Sequence, residues 1–317
     1  MAHQSADRQF AIHVAGALHV DEVATVQGNC VPQASNPVSW QRSVGGVGSN
    51  AARAAQQVLS NMNKGAVCLH AAVGSDHTGR QLMATIASQG LHVAAQPVQG
   101  ASTGRYSAII SESGELVLGL ADVELAEQLQ AAPILSLLQQ DRLDAVLLDA
   151  NLSTDCLYEL TTAAAERRTP LAAMTVSPVK ALKLLPIAKQ IPLVFCNRRE
   201  ATAMAVKSGL IEYSPDFSQP TITRLMDTLV AMGFNDCVLT DAGGPLVVRY
   251  QGKNSIVPIS TATVVRNVNG AGDALAGASF AAMVGGCPLP EAVEAYGLAR
   301  AALVLCEDSQ LALRPID

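Results

Sequence analysis

Short apolar runs alternate with amphipathic segments over most of this chain, and this order limits the possible folds more than any other feature. Several of the runs are continuously apolar, as strands are when both faces of their sheet are covered. The strand candidates are residues 10–15, 66–72, 145–148, 171–175, 193–196, 237–240 and 246–248. The helix candidates are residues 50–60, 78–88, 131–139, 155–166, 200–208, 221–232, 274–284 and 291–305. The β-α-β-α order predicts an α/β fold in which helices cover both faces of a mostly parallel sheet.

Two stretches, residues 22–43 and 98–120, interrupt this pattern because they have no helical period. The second contains two apolar runs on either side of the sequence ESGE, which is typical of a hairpin with glycine in its turn. We interpret both stretches as a small β-sheet that forms a lid over the carboxyl ends of the main strands, where open α/β sheets bind ligands. An exposed, partly apolar sheet often finds a partner, so we expect a homodimer formed through the lid. The predicted core comprises residues 1–21, 44–97 and 121–317.

The composition argues against two classes of partner. The formal net charge is −6 and only 3% of the residues are aromatic, so the chain offers neither a basic surface for phosphates nor stacking platforms for bases. No apolar run approaches the roughly 18 residues that a membrane span requires, and the N-terminal sequence MAHQSADRQF lacks the basic and apolar regions of a secretion signal. We therefore expect a cytoplasmic protein that binds neither nucleic acid nor membrane.

The cysteines and histidines show no metal-binding pattern along the sequence. Seven cysteines are present, none of them in a C-x-x-C pair, and most lie in apolar runs where a buried, reduced thiol is expected. The histidines at positions 13, 19, 70, 77 and 92 have no ligand-like spacing, and we expect them in the core or on the surface.

The sequence NVNGAGDALAGASFAAM at residues 267–283 carries the strongest indication of chemistry. Its glycines and alanine allow a tight turn that aims successive N–H groups at one point, and the helix that follows adds its own N-terminal donors. Asp273 lies at the mouth of this anion site, where a carboxylate suits deprotonation of a hydroxyl that attacks a phosphoryl group. For an isolated Gly-x-Gly-Asp sequence, a helix cap within an ordinary turn would be the simpler interpretation.

This segment resembles the C-terminal signature of the PfkB, or ribokinase-like, carbohydrate kinase family. Three further signatures occur in the family's order, namely GALHVD at residues 16–21, VGGVGSNAARAA at 44–55 and NRRE at 197–200. The resemblance therefore covers residues 16–273, which is most of the chain. It implies a three-layer α/β/α fold with a β-sheet lid, and phosphorylation of a sugar hydroxyl by ATP with Mg²⁺. K⁺ is a further candidate cofactor.

The resemblance also assigns roles to individual residues. It implies that Asp273 is the base. The residues of the anion hole are then Gly270, Ala271 and Gly272. The residues expected to bind the substrate are Asp21, Gly45, Gly46, Asn50, Thr103 and Asn151. The residues expected at ATP are Asn197, Thr240, Gly243, Gly270 and Gly272, and those expected to organise Mg²⁺ and its waters are Glu200 and Asn197.

Several of these residues have a purely structural interpretation as well. Asn197 followed three residues later by Glu200 is a helix-start pattern in its own right, and the residues alone do not separate capping from metal binding. Asp21 alone would suggest a solvated turn residue. A threonine in a strand, such as Thr103, is more often structural than functional.

The chain departs from the family pattern at a few positions. In the TDAGGP loop, Ala242 and Pro245 replace glycines that are usual in the family, and a proline has no N–H to offer a phosphate. Met174 and Thr175 stand where relatives often have aspartate, and so does Asn267. These departures bear on metal affinity and on dependence on a monovalent cation rather than on the base.

Finer features resemble the pseudouridine kinase branch of the family. They are the sequences SNP at residues 35–37, DANLS at 149–153, VSPVK at 176–180 and NVN at 267–269. The expected substrate is therefore the 5′-hydroxyl of pseudouridine, and the alternatives are ribose, fructose, adenosine or non-catalytic nucleoside binding. A P-loop kinase is excluded because G-x-x-x-x-G-K-[ST] is absent, and neither glycine-rich segment completes the G-x-G-x-x-G of a nicotinamide dehydrogenase.

Overall fold

A computed structural model describes residues 11–112, 115–140, 143–212, 221–241, 244–259 and 270–306. The strands are β1 Ala11–Ala15, β2 His19–Val26, β3 Val38–Gly45, β4 Ala66–Gly74, β5 His92–Val98, β6 Arg105–Ile110, β7 Leu116–Asp122, β8 Ala145–Asp149, β9 Leu171–Met174, β10 Leu193–Asn197, β11 Asp236–Thr240, β12 Leu246–Tyr250 and β13 Lys253–Val257. The α-helices are α1 Val47–Met62, α2 His77–Ala87, α3 Ala132–Gln139, α4 Thr154–Arg167, α5 Pro178–Ala181, α6 Arg198–Lys207, α7 Ile222–Met232, α8 Ala271–Val284, α9 Leu289–Ala292 and α10 Leu298–Cys306. Helical segments of other types lie at Glu124–Gln128, Leu182–Gln190 and Val293–Gly297. The positions discussed above at 242, 243 and 267–269 lie outside the described residues.

The described strands of the large sheet lie in the order β13-β12-β11-β10-β9-β8-β1-β4-β5. Neighbours from β11 to β5 pair in parallel, whereas β12 and β13 form an antiparallel edge. The continuously apolar runs of the sequence occupy the middle of this sheet, where both faces are covered. The prediction of a mostly parallel α/β sheet is confirmed.

Helices cover both faces of the sheet, and each face has its own apolar core. In β8, Leu147 packs into the core on one face, whereas Val146 and Leu148 pack into the core on the other. Helices α1 and α8 lie on the first face, and α4, α6 and α7 lie on the second. The backbones of α1 and α8 approach closely because Gly277 faces the backbone of Ala51, where a larger residue would clash. This arrangement is the predicted three-layer α/β/α architecture.

A smaller sheet of order β3-β2-β6-β7 stands apart from the large one. Strand β2 pairs antiparallel with β3 and parallel with β6, and β6 and β7 form the predicted hairpin. Asp21 and Gly45 lie within strands of this sheet, because β2 begins at His19 and β3 continues to Gly45. Its exposed apolar side chains are Trp40, Leu116, Val117, Leu118 and Leu120.

Several elements differ from the sequence-based expectation. Strands β5 and β13, helix α5 and the helical segments at Glu124–Gln128 and Leu182–Gln190 were not predicted. The helix expected at 291–305 is divided into α9, a π-helical segment at Val293–Gly297, and α10. At that segment Gly297 lies against Ser279 of α8, where any side chain would clash with the serine hydroxyl. Among the described helices, none has both the length and the hydropathy needed to cross a bilayer.

The spacing of the histidines along the sequence does not reveal one cluster that the fold brings together. Pairing of β1 with β4 brings His13, Cys68 and His70 together, and one potential ligand atom from each lies within 4.8 Å of the others. This proximity depends on which strands are neighbours, and so the spacing along the chain does not reveal it.

Candidate active site

A cavity of about 480 Å³ opens at the carboxyl ends of β9, β10 and β11, between the start of α8 and the small sheet. Parallel α/β sheets bind their ligands at this edge. The lining residues predicted from the sequence to take part in function are Asp21, Gly46, Asn50, Asn197, Glu200, Thr240, Gly270, Gly272 and Asp273. The structure therefore brings most of the predicted residues to one place.

The turn before α8 presents unpaired backbone donors to this cavity. Gly270 has a φ of 81°, a left-handed conformation that glycine adopts without strain, and the helix begins at Ala271. The first paired amide is that of Ala274, whose N–H donates to the Gly270 carbonyl at 2.9 Å. The N–H groups at the start of a helix have no intrahelical partners and carry partial positive charge. Together with the exposed Gly272, this turn offers the kind of backbone donors that bind anions at helix N-termini.

Asp273 lies in the first turn of α8, is partly buried and lines the cavity. Its carboxylate accepts a hydrogen bond of 3.0 Å from the Asn50 side-chain amide. Burial raises the pKa of the Asp273 carboxyl to about 7, although the hydrogen bond from Asn50 opposes the rise. The negative charges of Asp149, Asp21 and Glu200 raise the pKa further. A carboxylate with a pKa near neutrality is suited to accepting a proton from a bound hydroxyl.

Arg53 fixes the orientation of Asn50. Its guanidinium donates to the Asn50 side-chain oxygen, so the amide nitrogen of Asn50 is the atom left to face Asp273. Burial lowers the pKa of Arg53, and the nearby charges of Asp21 and Asp273 oppose that change. The buried cation thus lies among the acidic groups that line the cavity and partly compensates their mutual repulsion.

Glycines allow Asp21 and α1 to approach the cavity closely. A side chain at Gly45 would clash with the Asp21 carboxylate, and one at Gly46, where φ is 103°, would clash with the backbone of Ala17. The Asp21 carboxylate lies 3.0 Å from the His19 ring nitrogen Nδ1. Asp21 therefore lies at the cavity wall beside His19.

Asn197 and Glu200 form a capping box at the start of α6. The Asn197 side chain accepts from the Glu200 N–H at 3.0 Å, and Glu200 Oε2 accepts from the Asn197 N–H at 2.8 Å. The Thr175 hydroxyl also donates to Glu200. Both capping residues nevertheless line the cavity, with Glu200 only 5% exposed. Capping and presentation to the cavity therefore occur together in the same pair.

Thr240 ends β11 at the cavity wall, and its hydroxyl lies 3.5 Å from the Cys196 carbonyl. The next residue, Asp241, accepts hydrogen bonds from Nε and Nη2 of Arg198. These hydrogen bonds from Arg198 lower the pKa of the Asp241 carboxyl. Gly243, predicted to contact ATP in the loop that follows, lies outside the described residues.

Three predicted substrate residues, Gly45, Thr103 and Asn151, are not among the residues that line the cavity. The Thr103 hydroxyl donates to Asp76 at 2.6 Å and accepts from the Gly74 N–H at 3.1 Å. Asn151 is 3% exposed, and its side-chain oxygen accepts from Lys180. Both side chains therefore have structural partners within the protein.

Several other residues of the cavity wall were not predicted from the sequence. They are His19, Val47, Tyr106, Val176, Phe195, Cys196, Leu275 and Ala276, together with Met174 and Thr175, which were noted only as departures from the family. Val176 has a φ of 69°, which is strained for a β-branched residue and occurs most often at functional sites. Position at the carboxyl end of a predicted parallel strand is the signal that could have indicated Met174, Phe195 and Cys196.

Comparison with known proteins extends these observations to the whole chain. The family model described as pfkB family carbohydrate kinase matches residues 11–314. The pseudouridine kinase of Escherichia coli strain K12 is 27% identical over 268 residues, covering 82% of this chain and 79% of that protein. A carbohydrate kinase from Agrobacterium tumefaciens aligns with a TM-score of 0.76 and 28% identity, over 95% of this chain and 92% of that one. Arabidopsis thaliana ribokinase, solved with ribose and ATP, has a TM-score of 0.77 at 17% identity, over 96% and 94% of the two chains.

Proposed function

The chain belongs to the pfkB family of carbohydrate kinases, and from this premise we propose that it transfers the γ-phosphoryl group of ATP to the 5′-hydroxyl of pseudouridine. The observation that carries the proposal is the Asp273 carboxyl, whose pKa is raised to about 7, beside the N-terminal donors of α8 in one cavity. The choice of pseudouridine is supported by the similarity to the E. coli pseudouridine kinase and by the sequence features of that branch.

In the proposed reaction Asp273 accepts the proton of the substrate hydroxyl. The hydroxyl oxygen forms a bond to the γ-phosphorus, and the bond from that phosphorus to the bridging oxygen of ADP breaks. The N–H groups of Gly270, Ala271 and Gly272 stabilise the charge on the transferred oxygens, as donors at a helix start do for phosphoryl groups. Asn50 orients the Asp273 carboxylate through its 3.0 Å hydrogen bond.

The sugar is proposed to lie against the small sheet and the start of α1. Asp21 accepts hydrogen bonds from two ribose hydroxyls, and the backbone at Gly45 and Gly46 lies close to the ring because neither residue has a side chain. Asn50 contacts a further hydroxyl. Thr103 and Asn151 are retained only as weaker substrate contacts, which would require their present hydrogen bonds to rearrange.

The nucleotide and its metal are proposed to lie on the other side of the cavity. Asn197 and Glu200 present oxygen atoms there, as Mg²⁺ prefers, and both are held rigidly by their capping box. Mg²⁺ would neutralise phosphate charge, with Asn197 and Glu200 holding its waters. Thr240 and Gly243 are proposed to contact ATP. A requirement for K⁺, like a cytoplasmic location, stays a prediction from the sequence.

A coupled assay of ADP release tests the proposal with pseudouridine, uridine, ribose, fructose and adenosine as acceptors, each with MgATP. We expect the highest kcat/KM with pseudouridine, and a product whose mass and phosphorus spectrum identify a 5′-phosphate. Turnover of ribose, fructose or adenosine without turnover of pseudouridine would retain a family kinase and reject this substrate. Binding of nucleosides without any turnover would indicate a non-catalytic homologue.

The small sheet is also the proposed site of homodimer formation. Leu116, Leu118 and Leu120 of β7 and Trp40 of β3 expose apolar side chains on it. Sedimentation of the wild type and of a Leu118→Lys variant tests this, and we expect a dimer for the wild type and a monomer for the variant.

A further inference from the structure

Two histidines and a cysteine form a polar cluster within the large sheet, away from the cavity. In the pairing of β1 with β4, His13 lies opposite Cys68 and Ala15 lies opposite His70. Side chains alternate along a strand, so all three point to the same face of the sheet, the one that α4, α6 and α7 cover. None of the three lines the cavity, and the proposed kinase mechanism does not use them.

The distances in this cluster suit a small metal ion. His13 Nδ1 and His70 Nε2 are 2.7 Å apart, and one donor atom from each of the three residues lies within 4.8 Å of the others. Zinc bonds of about 2.0–2.3 Å in a tetrahedral site place neighbouring ligand atoms about 3.3–3.7 Å apart. Slight opening of the histidine pair and rotation of the Cys68 side chain would give this geometry.

The protonation states also suit metal binding. Burial lowers the pKa of both His13 and His70 to about 4, so both imidazoles are neutral at pH 7 and each has a lone pair. For His13 the charge of Asp144 opposes this shift and that of His92 adds to it. Burial raises the pKa of the Cys68 thiol, which a bound metal would ionise with release of one proton.

A simple hydrogen bond between two neutral imidazoles would account for His13 and His70, and a hydrogen bond with the Ala94 backbone involves the Cys68 sulfur, but only a shared ligand would use all three side chains together. Imidazole nitrogen and thiolate sulfur are the ligands that zinc selects over oxygen donors. Cys68 is also only half-buried, whereas His13 and His70 are 7% and 4% exposed. An ion can therefore enter from the Cys68 side, where a water molecule can complete the coordination.

We propose that His13, Cys68 and His70 bind one zinc ion, or a similar divalent transition metal, with solvent as the fourth ligand. The site is independent of the proposed kinase activity, because it lies outside the cavity and uses no substrate. It would join β1 to β4 through side chains, in addition to their backbone pairing, and so stabilise the part of the sheet next to the edge strand β5.

Cobalt titration of the full-length, EDTA-treated protein tests this site, since tetrahedral cobalt–thiolate centres absorb in the near ultraviolet and the visible. We expect one equivalent of cobalt to give both bands and zinc to displace it. Cys68→Ser should lose the thiolate band and His70→Gln should weaken binding. Cys287→Ser, which changes another partly buried cysteine, is the matched control and should retain the wild-type spectrum.

A second measurement uses the wild-type protein alone, so that it does not depend on the folding of any variant. Alkylation of Cys68 by iodoacetamide, followed by mass spectrometry, should slow with one equivalent of zinc, whereas alkylation of the exposed Cys30 should not. The proposal is overturned if zinc fails to protect Cys68, or if the cobalt spectrum of Cys68→Ser equals that of the wild type.

Discussion

Asp149 and Asp273 are two carboxylates whose pKa is raised by burial, although Asp149 is fully buried and Asp273 only partly. Asp149 ends β8 with no exposed surface, and its two oxygens accept backbone N–H groups from Ala17 at 2.8 Å and Asn151 at 2.9 Å. Asp273 begins α8, accepts one side-chain hydrogen bond from Asn50, and opens into the cavity. The Asp149 carboxylate is thus surrounded by hydrogen-bond donors of the backbone, whereas the Asp273 carboxylate has room for a ligand.

This difference distinguishes a carboxylate with a structural role from one that can act as a base, even though the pKa of both is raised. Backbone donors on each oxygen leave Asp149 no free position for a substrate proton, and they join β8 to the turn after β1. Gly16 belongs to the same arrangement, because a side chain there would clash with the Asp149 carboxylate. Asp273 retains an unoccupied side and adjoins an anion site, which is what a base for phosphoryl transfer requires.

The largest effect is expected for Asp273→Asn, which removes the proposed base and keeps the shape of the side chain. We expect kcat to fall by about 10²–10⁴-fold, the usual contribution of general-base catalysis, with little change in KM for the nucleotide. Steady-state kinetics with pseudouridine measures this. The matched control is Asp155→Asn, an exposed aspartate in the first turn of α4, which should leave kcat unchanged.

The stability of the same variant shows whether the ionised Asp273 carboxylate destabilises the folded protein. Its folded-state pKa of about 7 lies above its unfolded value, so the wild type loses stability as pH rises from about 4 to 7. Asp273→Asn should therefore be more stable than the wild type at pH 8, with the difference shrinking as the pH falls towards 4. Urea unfolding at both pH values measures this. An activity loss with lower stability at pH 8 would point to misfolding.

In contrast to Asp273→Asn, the variant Asp149→Asn should be less stable than the wild type. The asparagine has one acceptor oxygen where the carboxylate has two, so an amide group would face either the Ala17 or the Asn151 N–H. We expect a loss of about 2–3 kcal/mol in unfolding free energy, the usual cost of leaving a buried donor without its partner. The folded fraction should retain most of its kcat. Unchanged stability would show that these hydrogen bonds are not what joins β8 to β1.

The pH dependence of activity links the two carboxylates. Because Asp273 must be ionised to accept a proton, log kcat/KM should fall below pH 7 with a slope of about one, which is about tenfold per pH unit. The charge of Asp149 raises the pKa of Asp273, so Asp149→Asn should move this limb to lower pH. The measurement is a pH profile with MgATP in excess at every point. A limb that stays in place in the variant would contradict electrostatic coupling between the sites.

Much of the fold could be predicted because central strands are covered on both faces and are therefore continuously apolar. Strands β5 and β13 escaped prediction for the same reason, since they are the two edges of the described sheet and carry polar residues. Sequences such as HVAAQPV and KNSIV do not differ clearly from loops. The edge positions follow from the order of strands, which the hydrophobic pattern alone does not specify.

The residues of the cavity were likewise only partly predictable from the sequence. Residues of the signature motifs, such as Asn50, Glu200 and Asp273, line it as a group. Val176 and Tyr106 could not be predicted, because one depends on an unusual backbone conformation and the other on how the small sheet lies over the strand ends. Short motifs thus predicted which residues belong to the cavity, whereas contacts between elements distant in sequence could not be predicted.

The smallest effect is expected for Thr103→Val, which concerns a third carboxylate. Burial alone would raise the pKa of Asp76, but hydrogen bonds from Thr103 and from the Gly79 N–H outweigh burial and lower it. Asp76 thus extends the comparison, because it also accepts several hydrogen bonds from the protein but is less buried than Asp149. Removing the Thr103 hydroxyl should cost about 1 kcal/mol, the net value of one hydrogen bond, and raise the pKa of Asp76.

If Thr103 is only structural, KM for pseudouridine should stay within about twofold of the wild type, since Thr103 does not line the cavity. A tenfold rise in KM at unchanged stability would instead make Thr103 a substrate contact.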